Sequence, residues 1–364
     1  FPINKDETMD EAVQRESKNV RENAGVLDGS TLGKIEIKGK DALAFMNLIY
    51  TNSFSKMKPG TSRYALMLGE DGMVKDDGII CKISDEHFIA TTTTGGAATV
   101  LGCMEEYAQT EWPNLNVYMN SITEQYATFN ISGPKTRNII EKVFPEVNFS
   151  NEAFPFMTFQ FHEYEDTPIR ILRASFTGEM GYEIYVPSNQ AVKIWEKIIS
   201  FGKEFGLMPY GTETMHLLRA EKGYIIVGQD TDGSITPLDL GLDWMIGKSK
   251  KDFLGKRSLI RSDTVRKDRK QLVGILPTNK NEKLEEGQHI ILDKEIKTPT
   301  PMLGHITSCY QSPTLGHNFA LAVIKNGQSL IGTKAFASTP ELKTIEVEIV
   351  EPIFYDKENT KLAS

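Results

Sequence analysis

Two adjacent carboxylates, Asp76 and Asp77, stand in LGEDGMVKDDGIICKI (68–83), at the edge of an apolar run that reads as a strand. An acid among apolar neighbours needs a dedicated hydrogen-bond partner or pays for its burial. Held in a pocket, such an acid can steady a cationic or amine ligand, or accept a proton. A third acid, Glu183, lies among Tyr182, Ile184 and Tyr185 in YEIYV. A carboxylate there suits a ring with adjacent N–H donors, such as a pterin or guanine edge. Each has a plainer alternative. Asp77 could cap nearby backbone N–H groups, and Glu183 could be an exposed strand residue.

The elements that hold these acids follow from local pattern. Asp71-Gly72 between RYALMLG and MVKDDGIICKI predicts a hairpin with a two-residue type I′ turn. That register sets Leu66 opposite Asp77 and Tyr64 opposite Ile79. Side chains alternate, so Tyr64, Leu66, Lys75, Asp77, Ile79 and Cys81 share one face. Met67, Val74, Asp76 and Ile80 share the other. Tyr64 then lies diagonal to Asp77, about 7–8 Å away at Cα. In RASFTGEMGYEIYV (173–186) the glycine-flanked TGEMG bends the chain before Glu183.

The 364 residues exceed one small core. Over 1–265, helical patterns (9–23, 40–50, 95–110, 134–144, 189–206 and 211–223) mix with short strands, an α+β arrangement. Thr8 or Asp10 starts the first helix. From about 270, KQLVGILP, QHIILD, LGHITSCY, FALAVIK and TIEVEIVEPIFY predict a small β-barrel or sandwich over 266–364. The charged SDTVRKDRK (262–270) reads as the linker.

Several chemistries have no signal. The net charge is −8, and the nearest basic run, Lys248 to Lys251, reads as a solvated loop, which argues against nucleic acid. The three cysteines are scattered, as in a reducing cytosol. No apolar run has membrane-spanning length, and no signal peptide opens the chain. The start FPINKDET looks cut from something longer. There is no GxGxxG, GxxxxGK[ST], HExxH or CxxC, and DTDGS (230–234) lacks the closing Glu of a calcium loop. No metal site is expected. His216 reads as structural, and Arg219 has either a structural or a binding role.

The chain resembles the aminomethyltransferase, or glycine-cleavage T-protein, family of folate-binding proteins. Within it, the chain is most similar to the carboxy-terminal part of heterotetrameric sarcosine oxidase alpha subunits. The resemblance runs through AGVLDGSTLGKIEIKGKDALAFMNLIYTN, RYALMLGEDGMVKDDG, TTTTGGAA, SFTGEMGYEI, YGTETMHLLRAEKG and PMLGHITSCYQSPTLG. It implies an α+β fold of three domains in a cloverleaf around a folate-binding opening. Two intertwined antiparallel-sheet subdomains would fill 1–265 and a β-barrel 266–364. It implies Asp77 as the catalytic acid, Tyr64 and Phe176 as aromatic walls, Glu183 on the pterin, and Thr93-Thr94 where the family has asparagine-alanine. Phe176 replaces a tyrosine. Met215 replaces an arginine near the folate tail.

The implied cofactor is tetrahydrofolate, and the implied reaction moves a one-carbon unit from an iminium onto it. Flavin and NAD would belong to other parts of the complex, and other sarcosine oxidase domains and subunits would be partners in a cytoplasmic assembly. Two alternatives stay open. One is a free-standing aminomethyltransferase or demethylase, and the other a folate-binding scaffold without catalysis.

Overall fold

The computed structural model describes residues 3–296 and 299–363. In chain order it runs α1 (Met9–Glu22), β1 (Ala24–Asp28), β2 (Gly33–Lys38), α2 (Ala42–Ile49), β3 (Thr61–Leu68), β4 (Val74–Ser84), β5 (His87–Thr92), α3 (Ala97–Thr110), β6 (Tyr118–Ser121) and β7 (Tyr126–Ser132). Then come α4 (Thr136–Val143), β8 (Phe159–Tyr164), β9 (Thr167–Leu172), β10 (Gly181–Pro187), α5 (Ala191–Gly202), β11 (Leu207–Pro209) and α6 (Thr212–Glu221). The remainder is β12 (Lys270–Pro277), β13 (His289–Ile291), β14 (Gly304–Ser312), β15 (His317–Lys325), β16 (Lys334–Ser338), β17 (Thr344–Val350) and α7 (Thr360–Ala363).

The strands form three sheets. One has the order β11-β1-β7-β10-β9-β8, a second the order β3-β4-β5-β2-β6. The third closes as a barrel, β12-β15-β14-β13-β16-β17. The mixed α+β architecture with a C-terminal barrel is the one the sequence implied, and closure decides for a barrel against a sandwich. The sequence reading had five barrel strands. The sixth, KAFAS at β16, is short and alanine-rich, which gives it weak strand propensity. It forms by pairing with both β13 and β17.

Local chemistry explains the main elements. Thr8 starts α1 through a reciprocal capping box with Glu11. Ala127, Phe129 and Ile131 of β7 alternate into a core shared with Tyr182 and Ile184 of β10. The hairpin register near the acids is as expected: Leu66 pairs with Asp77 and Tyr64 with Ile79.

The turn is a correction. A longer loop replaces the type I′ turn, closed by the Gly69 N–H to the Met73 carbonyl at 2.9 Å. Gly72 takes φ 85°, whereas Asp71 stays out of the left-handed region and accepts from the Met73 N–H at 3.0 Å. The extra residue, Lys75, is left over at a bulge, so Leu68 pairs with Val74. Val74 therefore joins the face of Leu66 and Leu68. The loop takes this shape because it docks elsewhere: the Ser258 hydroxyl donates to the Glu70 carbonyl at 2.5 Å.

Two buried guanidinium groups tie the parts together. Arg219 pairs with Asp230, and both side chains are fully buried. It also donates to the Tyr224 carbonyl at 2.9 Å and the Ser308 hydroxyl at 2.7 Å, linking α6 to β14. This fixes Arg219 as structural and engages the first Asp of DTDGS in the fold. Arg21 of α1 reaches Glu221 at 2.5 Å, Glu179 at 3.0 Å and the Thr177 carbonyl at 2.8 Å. The Tyr355 hydroxyl joins Glu179 from the C-terminal segment at 2.6 Å. The charged segment before β12 ends on a third anchor, Arg269 to Asp239 at 2.7 Å.

Removing one partner of a buried pair strands the other charge. Asp230→Ala should therefore lower stability by about 3–5 kcal/mol in denaturant titration. Glu346→Ala, which breaks the exposed Lys334 pair, should leave the denaturation midpoint close to wild type.

Candidate functional site

The two adjacent acids divide the two alternatives between them. Asp76 is 2% exposed, and its Oδ2 accepts from the Thr93 N–H at 3.3 Å. Helix α3 begins just beyond, with Gly96 as its N-cap and no side-chain cap. A Cβ on Gly96 would stand 2.7 Å from Asp76 Oδ2, so the glycine makes room for the acid. Asp76 thus serves the N-terminus of α3, where negative charge is favoured. Burial still raises its pKa, with Thr93 opposing.

Asp77 points to the opposite face. Its Oδ2 accepts the Tyr64 O–H at 2.6 Å, across the diagonal the register implied. Burial pushes its pKa up to about 7; the Tyr64 hydrogen bond opposes this and the Asp76 charge adds to it. Tyr64 is raised well above the usual phenol value, first by burial and then by the Asp77 charge. Both lie deep in the fold, yet both retain accessible surface.

Glu183 has the same character, deep but part-accessible. It sits between Leu172 and Asn130 in the sheet. The Tyr185 O–H donates to its Oε2 at 2.5 Å, and the Arg170 guanidinium lies 4.0 Å from the Tyr185 ring centroid. Burial raises the Glu183 pKa, while Tyr185, Arg170 and Lys34 oppose it. Lys34 is itself buried, donating to the Ser30 and Leu32 carbonyls at 3.0 and 2.9 Å. Burial lowers its pKa to about 8.

The two open sheets pack against each other. Cys81 and Ile89 of one form a single apolar cluster with Leu172 and Tyr185 of the other. Cys81 shares its face with Asp77, and Tyr185 shares its face with Glu183. Phe176 stacks on Tyr224, with ring centroids 6.0 Å apart and planes 20° apart. Tyr224 is in turn within electrostatic reach of Tyr64. Phe176, Glu183, Asn130 and Met215 line one cavity.

Thr93 and Thr94 lie just before α3. Thr93 is tied to Asp76 and to the Gly96 N–H, and exposed Thr94 meets the Thr31 hydroxyl at 3.1 Å. Among the described residues neither bonds to Asp77 or Glu183. Sequence reasoning missed Tyr185, Asn130 and Tyr224. The first was signalled by its place two residues after Glu183, on the same face. The second was signalled by the alternation of YATFNIS.

Residues 1–250 match the family described as the GCVT N-terminal domain, and residues 270–356 match the glycine cleavage T-protein C-terminal barrel domain. The chain belongs to the glycine cleavage T-protein family. It is 47% identical over 358 residues to the sarcosine oxidase subunit alpha of Corynebacterium sp. strain U-96, covering 98% of this chain and 37% of that protein. The corresponding subunit of Rhizobium meliloti strain 1021 is 39% identical over 365 residues, with 100% and 37% covered. The aminomethyltransferase of Thermoanaerobacter pseudethanolicus is 30% identical over 361 residues, with 96% and 91% covered. The glycine cleavage aminomethyltransferase T of Bartonella henselae shares the fold, with a TM-score of 0.82 at 23% identity over 95% of this chain and 90% of that one. The chain thus spans a little over a third of the length of its sarcosine oxidase relatives.

In this T-protein fold the Asp77 charge has a stability consequence with a definite sign. Its folded pKa lies above the ordinary value of 3.8, so the folded state holds the proton more tightly. The contribution is full below the unfolded pKa and is lost as pH rises through the folded one. The thermal midpoint of Asp77→Asn should therefore gain on wild type between about pH 4 and about pH 7, then run parallel to it. Tyr64→Phe removes a hydrogen bond that lowers this pKa. It should move the upper end of that window to higher pH.

Proposed function

We propose that this chain is a tetrahydrofolate-dependent one-carbon transfer module of a sarcosine oxidase alpha subunit. Residues 1–265 form its folate-binding region and 266–364 its barrel domain. The substrate is the iminium left by oxidation of sarcosine, and the products are 5,10-methylenetetrahydrofolate and glycine. The oxidation itself belongs to flavin-bearing parts outside this chain, and its partners are the other domains and subunits of that oxidase. The relatives at 47% and 39% identity favour this reading over a free-standing aminomethyltransferase.

The observation that carries it is the set of deep, part-accessible polar groups on the two packed sheets. Asp77 with Tyr64 stands on one sheet, Glu183 with Phe176 stands on or beside the other, and the three polar groups are deep but accessible. Bound tetrahydrofolate supplies the two amine nitrogens that take up the carbon. That carbon arrives already electrophilic, so positioning and charge dominate. Glu183 accepts paired N–H donors of the pterin edge, and Phe176 covers its face. Asp77, as a carboxylate, steadies the cationic iminium and accepts a proton from the attacking amine. Tyr64 holds the Asp77 carboxylate in place. Both protons lost by tetrahydrofolate end on the nitrogen of glycine. The scaffold alternative leaves a buried acid with a pKa of about 7 without a task.

Calorimetric titration with tetrahydrofolate, together with methylene transfer from an equilibrated glycine–formaldehyde mixture, tests the proposal. Asp77→Asn should keep tetrahydrofolate affinity within a few-fold and reduce transfer about 10²-fold or more. Unchanged transfer would remove Asp77 from the chemistry. Wild-type transfer should rise with pH through about 7, as the Asp77 carboxylate forms.

A further inference from the structure

One face of the six-stranded sheet is an apolar core, and the other is mixed, with Leu27, Leu172 and Tyr185 beside polar side chains. On β7, Thr128, Asn130 and Ser132 alternate with the core residues and share the face of Glu183. This mixed face is not a solvent face: Thr128 is 0% and Ser132 4% exposed. Asn130 Oδ1 is buried and has no hydrogen-bond partner among the described residues. Buried polar atoms are almost always partnered, so an orphan on a cavity wall marks a place for a ligand.

Asn130 stands directly opposite Glu183 in the β7–β10 ladder, with Leu27 on its other side. Directly opposed side chains start about 4.5–5.5 Å apart at Cβ. Both line the cavity that Phe176 and Met215 also reach. Glu183 Oε2 already accepts the Tyr185 hydroxyl. Among the described residues nothing donates to Oε1. Two acceptors therefore sit side by side toward one space, and a ring that fills it must bring donors to both.

We infer that Asn130 selects the reduced state of the ring, its Oδ1 accepting from a ring N–H that the fully oxidised ring lacks. The inference rests on the folate reading above. Along the pterin edge the donors are N3–H, the 2-amino group and, past one bare nitrogen, N8–H. Glu183 serves the first two. N8 carries its hydrogen in tetrahydrofolate, whereas in folic acid it is a bare acceptor. Facing Asn130 Oδ1, that bare nitrogen sets lone pair against lone pair. A site built to bond one N–H rejects an analogue lacking it because its own buried group is left unpaired.

The test titrates the full chain with tetrahydrofolate under anaerobic conditions and with folic acid. Wild type, Asn130→Leu and Glu183→Ala are compared, and each ligand-free thermal midpoint is recorded. Wild type should bind tetrahydrofolate about 10-fold or more tighter than folic acid. Asn130→Leu should weaken tetrahydrofolate about 10-fold, leave folic acid within about 3-fold, and leave the ligand-free midpoint equal or higher, because it removes an orphan buried acceptor. An amide that donates to Glu183 instead is a structural group, and its loss would lower that midpoint. A lowered midpoint, or an unchanged ratio of the two affinities, overturns the inference. Tetrahydrofolate binding that fails in Glu183→Ala but is untouched in Asn130→Leu overturns the inference alone. No binding of tetrahydrofolate by folded wild type overturns the folate reading and this inference together.

Discussion

Arg219 and Asp230 are sealed from solvent on every side, and the architecture around the site depends on their pairing. A lone guanidinium or carboxylate at that depth would cost more than the domain contacts return, so neither can be buried without the other. Because Arg219 also donates to the Tyr224 carbonyl and the Ser308 hydroxyl, the pair fixes where α6 ends and where β14 sits against it. Tyr224 is the ring on which Phe176 stacks. Arg21 performs the matching task on the other side, holding Thr177 and Glu179 and hence the loop that carries Phe176. The stacked Phe176–Tyr224 pair is thus set by two buried cations.

Asp76 and Asp77 show how one strand serves two environments. Successive side chains leave opposite faces, so adjacent acids need not compete for a partner. Asp76 turns outward from the seam to the start of α3, and Asp77 turns inward to Tyr64. The charge of Asp76 nonetheless adds to the rise in the Asp77 pKa. Helix anchoring and proton affinity are coupled through a single peptide bond. Gly96 belongs to this arrangement, since any side chain there would collide with Asp76.

Much of this was legible in the sequence where it depended on neighbours in the chain. The two-residue turn read at Asp71-Gly72 set the Leu66–Asp77 pairing and the Tyr64 diagonal, and both hold because the bulge at Lys75 offsets the longer loop. The turn between them was not legible, because its shape depends on Ser258, far along the chain. The family resemblance gave the α+β fold with its barrel. It could not say what Thr93 and Thr94 touch, since both residues depart from the pattern. Asn130 and Ser132 look locally like the wet face of a strand. Their face is covered by groups distant in sequence, among them Tyr210 and Met215. Arg219 was ambiguous for the same reason, as its partners Asp230 and Ser308 lie eleven residues away and in the barrel.

The most direct test of the account is a crystal structure of the chain with tetrahydrofolate bound. The account predicts the pterin edge on Glu183, its face against Phe176, and the reactive nitrogens within about 3 Å, or one water, of Asp77. A ring bound instead in the larger groove between α1, α6 and the barrel, beside Val13, Leu217 and Tyr310, would contradict it.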